Sequence, residues 1–223
     1  MDLLLALLSG LALGFIHAFD ADHVVAVSAF AAKHPEPRKA AVFGITWGLG
    51  HSATVLLLGL VSLALRFVVS PMVETFAEIA VGILLVGVGI WVLVGLFRRR
   101  NIHLHKHSHD GLEHIHVHSH AQTKEHQHKH SLFLIGATHG LAGTATIMVV
   151  IPIALTQSFV TAGSYLVLFS AGTIIAMTAI AYFIGAAAEK LQTRNGLALF
   201  QGFAGLMSIC TGLLWIGQRI SKL

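Results

Sequence analysis

Between His17 and His23 the chain reads His-Ala-Phe-Asp-Ala-Asp-His, two imidazoles and two carboxylates in a stretch whose flanks are apolar enough for a bilayer. Ionisable groups at membrane depth are costly; they face a cavity or pathway and mark a functional site. Imidazole with carboxylate is also a ligand set suited to divalent first-row metals. His51, in Gly48-Leu-Gly-His51-Ser52, and His139, in Thr138-His139-Gly140, add imidazoles from two further apolar segments. Either one in isolation reads as a core histidine satisfied by a single hydrogen bond. Three segments that each carry a histidine, beside two carboxylates, read as one metal site. The candidate ligands are therefore His17, Asp20, Asp22, His23, His51 and His139. Neither a catalytic residue nor a tightly bound cofactor is expected.

Helix geometry limits how these residues can meet. At about 100° and 1.5 Å per residue, His17, Asp20 and His23 drift along one side of a helix while Asp22 points elsewhere. His17 and His23 would then stand about 9 Å apart along the axis, too far for one ion. Either the helix unwinds through Ala18–Asp22 or the residues form a relay of several stations. A local break is favoured, because it also supplies polar groups to the charged cluster.

The elements that must hold these residues are membrane helices. Of 223 residues, 55% are hydrophobic and 11% charged, against about 25% charged in soluble domains. Apolar runs exceed the roughly 20 residues needed to cross a bilayer. Six spans fit: Leu3–Ala32, Ala40–Val69, Met72–Phe97, Ser131–Leu155, Thr161–Ala188 and Gly196–Ile220. The start lacks the basic residues of a signal peptide and reads as half of a retained helix. Lys and Arg gather in the first, third and fifth loops, among them Lys33, Arg38, Arg98 to Arg100 and Lys190. The positive-inside rule then predicts an inner-membrane protein with both termini outside and the long connection cytoplasmic. Topology accounts for the net charge of +4, so nucleic acid is not an expected partner. The single Cys210 packs as a small apolar residue; a two-cysteine thiol relay is not available to this chain.

The halves echo each other. Gly14-Phe-Ile-His17 aligns with Gly136-Ala-Thr-His139 at an offset of 122, and Gly50 meets Gly172 at the same offset. A repeat of three spans must insert its second copy upside down, which is a transporter signature. The expected fold is all-α and polytopic, six transmembrane helices as a 3+3 inverted repeat. Its parts are a first repeat (1–97), a histidine-rich loop (98–130) and a second repeat (131–223). Glycines beside His51 and His139 read as sites of close helix approach or of helix breaks.

The loop holds eleven of the 16 histidines, from His103 to His130. Runs such as His-Ile-His-Val-His-Ser-His bind metals by composition. With few apolar residues to fold around, the loop is expected to be disordered, a buffer or sensor that releases metal in acid.

His17-Ala-Phe-Asp-Ala-Asp22-His23 resembles the His, four residues, Asp-His signature of the nickel/cobalt permeases (NiCoT). Leu49-Gly-His51-Ser52-Ala-Thr-Val is similar to that family's Gly-His-Ser run in the following helix. The resemblance implies a polytopic carrier with His17, Asp22, His23 and His51 as selectivity residues and Ni²⁺ or Co²⁺ as substrate. In the second half, Gly143 stands where the family has Asp, and Ser170-Ala-Gly172-Thr173 has no carboxylate. That half is more similar to the short six-span relatives, the urease-linked permeases and the nickel/cobalt efflux proteins.

The leading expectation is a secondary carrier of Ni²⁺, with Co²⁺, and not an enzyme. No phosphate-binding Gly-Lys-Ser/Thr loop is present for ATP use. The close match at His17–His23 favours uptake; the histidine loop pulls toward efflux. Expected partners are the metal ions, the lipid bilayer and, as a candidate, a cytoplasmic metallochaperone. Two other classes stay open: a membrane haem protein ligated by facing histidines such as His17 and His51, and an intramembrane metalloenzyme, for which His-Glu-x-x-His is absent.

Overall fold

In the computed structural model, residues 2–65, 70–99, 104–109, 112–117, 129–141, 158–191 and 194–221 are described. They form helices α1 (Leu3–His17), α2 (Ala21–Lys33), α3 (Pro37–Leu65), α4 (Pro71–Arg99), α5 (Lys129–His139), α6 (Phe159–Lys190) and α7 (Arg194–Ile220). One antiparallel hairpin, β1 (Leu104–His109) with β2 (Leu112–Val117), lies in the histidine-rich connection.

The helices begin where the local chemistry says they should. Asp2 caps α1 by accepting from the Leu5 N–H at 2.7 Å, and Ser158 caps α6 by accepting from Thr161. Pro37 and Pro71 open α3 and α4, where a missing N–H costs nothing. Among the described residues, four helices are long and apolar enough to cross a membrane, and a fifth crossing results if the bent pair α1–α2 counts as one. Large apolar side chains such as Leu4, Ile83, Phe183 and Leu199 are exposed on the outside, while the buried set includes histidines, Asp22, Glu78, Gln201 and several Ser and Thr. An apolar exterior around a polar interior is the arrangement of a protein solvated by lipid; this is a multi-pass membrane protein.

Of the six expected spans, four correspond to α3, α4, α6 and α7. The first is the bent pair. The expected span Ser131–Leu155 opens with α5, and residues 142–157, Gly143 among them, lie outside the described residues. The expectation of a loop without structure is revised by the hairpin, whose register sets His105 opposite His116 and His107 opposite His114.

Glycine sets the helix seams. A Cβ on Gly14 would fall on the carbonyl oxygen of Phe169, and one on Gly172 on that of Leu11, so α1 and α6 touch backbone to backbone. A Cβ on Gly136 would fall on the carbonyl of Trp47, and one on Gly50 on that of Phe133, so α5 and α3 do the same. Each contact has its counterpart 122 positions on: Gly14 with Gly136, Trp47 with Phe169, Gly50 with Gly172, Leu11 with Phe133. Gly10 meets Tyr165 as Gly14 meets Phe169, and Gly140 meets His51 as Gly136 meets Trp47, so α1 runs parallel to α6 and α5 parallel to α3. On the far side, α4 and α7 cross at Gly82 against Gly212 and Gly89 against Gly205.

Polar bonds inside the bundle fasten these seams. Ser52 Oγ donates to the Ser170 carbonyl, Thr173 Oγ1 to the Gly14 carbonyl, Gln201 to the Ala32 carbonyl and Ser208 to the Leu85 carbonyl. Arg219 pairs with the buried Glu78 at 2.6 Å, an ion pair between α7 and α4. Lys33 lies 3.4 Å from the Trp91 ring centroid and donates to the Trp91 carbonyl, holding α2 to α4.

Gly14→Leu or Gly136→Leu should destabilise the bundle by about 1–3 kcal/mol, since backbone cannot yield as a flexible side chain can. Gly87→Ala and Gly163→Ala, with nothing within 4 Å of the new methyl, should leave the melting temperature level or slightly higher. Thermal unfolding in detergent distinguishes the two classes. Equal behaviour in all four would remove the seam argument.

Candidate metal centre

The centre forms where α1 stops. His17 is the last residue of α1, and the chain turns through Ala18, Phe19 and Asp20 before α2 starts at Ala21. Phe19 N–H bonds to Ile16 and Asp20 N–H to His17, a tightened turn, and α1 and α2 meet at 55°. The break was expected through Ala18–Asp22; it occupies its first three residues. Its effect is the one required. His17 and His23, about 9 Å apart in a straight helix, have ring centroids 4.8 Å apart.

Two more elements complete the cluster. His51 comes from the middle of α3, with its Nε2 3.2 Å from His17 Nε2. His139 ends α5 as His17 ends α1, and its Nε2 lies 2.8 Å from Asp22 Oδ2. Asp22 Oδ1 is 3.0 Å from His23 Nδ1. His23 is the hub, with ring centroids 4.9 Å from His51 and 5.0 Å from His139. His17, Asp22, His23, His51 and His139 are all buried. Five of the six expected ligands therefore meet in one place.

Asp20 takes a different position. It is only part-buried, and its carboxylate meets His17 at Nδ1, 2.9 Å away. That leaves His17 Nε2 turned toward His51. A carboxylate on the outer nitrogen of a metal-binding imidazole fixes its tautomer and orientation; Asp20 is placed as such a partner would be and is not brought into the cluster.

The ligand atoms fall into two overlapping groups, each within the reach of one ion. His17, His23 and His51 form an all-imidazole triad; Asp22, His23 and His139 form a triad with one carboxylate. His23 belongs to both. Its Nε2, together with His51 Nδ1 and His139 Nδ1, is buried with no hydrogen-bond partner among the described residues. Buried polar atoms are rarely left so, and the ligand atoms of each triad, all within 4.8 Å of one another, suit a cation. Helix ends reinforce this. The C-termini of α1 and α5 bring the negative ends of their dipoles to the cluster, and Asp22 sits favourably in the first turn of α2.

The rings around the cluster were not foreseen. Trp47 lies against His139, centroids 5.1 Å apart, and stacks on His23 at 5.7 Å. Phe169 lies 5.4 Å from His17. The only signal in the sequence was their shared offset of 122, hidden because one is Trp and the other Phe. The haem reading loses ground here. Two axial nitrogens at about 2.0 Å from a metal stand about 4 Å apart across it, and the 3.2 Å between His17 and His51 leaves no room for a porphyrin.

Three comparisons bear on the chain. Residues 5–214 match the family described as cytochrome C biogenesis protein transmembrane region. The urease accessory protein UreH of Bacillus sp. (strain TB-90) is 33% identical over 91% of this chain and 88% of its own length. Chloroplast proteins FOR GROWTH AND FERTILITY 1 and 2 of Arabidopsis thaliana are 25% and 26% identical over 83% of this chain. The chain spans about half the length of these two, 51% and 48%. No solved structure matches.

His23→Ala should abolish high-affinity Ni²⁺ binding, because it removes the ligand common to both triads. Asp20→Asn should weaken binding by about 10–100-fold, the usual effect of losing an orienting partner. Titration calorimetry on detergent-solubilised protein separates the two; full-affinity binding by His23→Ala would remove the cluster as the site.

Proposed function

This chain belongs to the family described as cytochrome C biogenesis protein transmembrane region, and we propose that its own activity is the passage of Ni²⁺, and of Co²⁺, across the membrane as a secondary carrier. The observation that carries this reading is the convergence of four histidines and Asp22 on a broken helix inside a membrane bundle. Imidazole and carboxylate are ligands for borderline divalent metals, and neither suits an alkali cation or an organic substrate as well. The family description names cytochrome c biogenesis, but the chemistry at the centre here is not thiol chemistry. The chain has one cysteine, Cys210, exposed on α7.

Two further observations support the metal. The residues that converge are those of the permease-like signatures, His17 to His23 and His51. The UreH relative is, by its name, a urease accessory protein, which agrees with the likeness of the second half to urease-linked permeases.

In this reading the six spans form a 3+3 inverted repeat. Support comes from the paired backbone contacts at offset 122, with α1 on α6 matched by α5 on α3. The site lies between the repeats, where inverted-repeat carriers hold their substrate. The protein sits in the inner membrane with both termini outside, and residues 98–130 are cytoplasmic. That segment concentrates metal beside the carrier and exchanges it with a cytoplasmic metallochaperone. Uptake is the favoured direction; efflux, fed by the histidine segment, is the alternative. In this reading the protein is a carrier and not an enzyme.

Purified protein in proteoliposomes should move Ni²⁺ and Co²⁺ in preference to Mg²⁺ and Ca²⁺, and His23→Ala should abolish the flux at unchanged protein abundance. Flux indifferent to the metal, or surviving in His23→Ala, would overturn the reading. Deleting Asn101–Lys129 should lower the number of Ni²⁺ ions bound and shift the concentration for half-maximal transport while keeping the metal preference. Loss of transport in correctly inserted protein would make the segment part of the crossing path. Acidification through the imidazole range, near pH 6.5, should release metal from the segment, because protonated imidazole is no ligand.

A further inference from the structure

Four aromatic side chains bracket the metal cluster along the bundle axis. Toward the α1 N-terminus, Phe169 lies against His17, and Tyr165 stacks on Phe169 with centroids 6.3 Å apart. Toward the α3 N-terminus, Trp47 lies against His23 and His139, and Phe43 lies 5.4 Å from Trp47. Phe43 continues into a stack on Phe30, 3.8 Å apart, and Phe30 onto His34 at the end of α2. Trp47, Tyr165, Phe169 and Phe43 are all buried.

The two brackets are copies of one device. Trp47 and Phe169 are 122 positions apart, as are Phe43 and Tyr165. Each inner ring springs from a residue whose carbonyl is pressed by the glycine of the other half, Gly14 on Phe169 and Gly136 on Trp47. Each bracket thus rides on a seam between repeats, the surface that must slide when one half rocks against the other. Each also closes over a different triad. Phe169 touches the all-imidazole group and Trp47 the group containing Asp22.

Their polar ends are informative. Among the described residues, Trp47 Nε1 and Tyr165 Oη are buried with no hydrogen-bond partner, as is Ser170 Oγ next to Phe169. A ring whose only task was packing would be better as Phe or Leu at such a place. Polar atoms that are unpaired in the shut arrangement can pair with water once the ring swings aside.

We propose that Trp47 with Phe43, and Phe169 with Tyr165, are the two gates of the carrier, each controlling access to the histidine cluster from one side of the membrane. This rests on the carrier reading for its purpose but not for its test. In a Cys210→Ser background, His51→Cys puts a thiol at the cluster, and a membrane-impermeant methanethiosulfonate reagent is applied to right-side-out and inside-out vesicles. No metal movement is read, so failure of metal transport and failure of gating are separable. Adding Trp47→Ala should raise the labelling rate from the α3 N-terminal side by about tenfold or more, the margin between a minor open state and a permanent opening. Phe169→Ala should do so from the opposite side. Each should leave labelling from the other side within about twofold, far short of that margin. If an alanine variant does not accumulate, Trp47→Leu and Phe169→Leu, smaller than either ring yet bulky enough to pack, carry the same expectation. Unchanged labelling, or acceleration from the same side by both substitutions, would overturn the proposal.

Discussion

A carboxylate and four imidazoles cannot be sunk in a bilayer without partners supplied by the protein itself, and the broken helix and the seams around it answer to that constraint. Asp22 is held between His23 and His139. His17 is held between Asp20 and His51. The cluster solvates itself, and the break between α1 and α2 makes this possible by folding six residues of sequence into a ring separation of 4.8 Å. An unbroken helix would leave His17 and Asp22 on different faces, each needing its own partner. The break also turns the C-terminus of α1 toward the cluster, as α5 brings its own, so the negative ends of two backbone dipoles add to the field that favours a cation.

Close approach of the surrounding helices follows from the same need. For His139 to reach Asp22, α5 must lie against α3; for α1 to end where it does, it must lie against α6. Glycine at each crossing removes the one atom that would hold the helices apart. The α4–α7 pair stands outside this arrangement. It carries no ligand, crosses through its own glycines and is closed by the Glu78–Arg219 pair. Removing the charge of Arg219 would leave Glu78 buried without its counter-ion, which costs more than the pair contributes.

Much of this was legible in the residues. The six candidate ligands stand out because charged and imidazole groups are so rare between the apolar runs, and the break was legible because helix geometry alone could not unite His17 with His23. Asp20 was not separable from Asp22 by type or spacing. What separates them is which histidines each can reach, Asp20 meeting His17 and Asp22 meeting His23 and His139, a matter of the turn's dihedral angles. Trp47 and Phe169 were hidden for another reason. An aromatic residue in a membrane helix carries no distinctive chemistry, and only its position against a histidine ring gives it meaning. Glu78 also escaped notice, since one carboxylate near a helix start reads as interfacial until Arg219 is found beside it. The hairpin at 104–117 was obscured by composition, because alternating histidines satisfy the period of a strand as readily as that of an open chain.

The position equivalent to His51 in the other half is Thr173. Its hydroxyl donates to the carbonyls of Gly14 and Phe169, so it clasps a seam where His51 offers a ligand. The frame is nearly self-mirrored while the ligand field inside it is lopsided. For the carrier proposed above, an ion at one end of the cluster would meet three imidazoles and at the other a carboxylate with two imidazoles. The two ends would hold it unequally, so the barriers on the way in and on the way out would differ while the gradient alone set the direction of net flow.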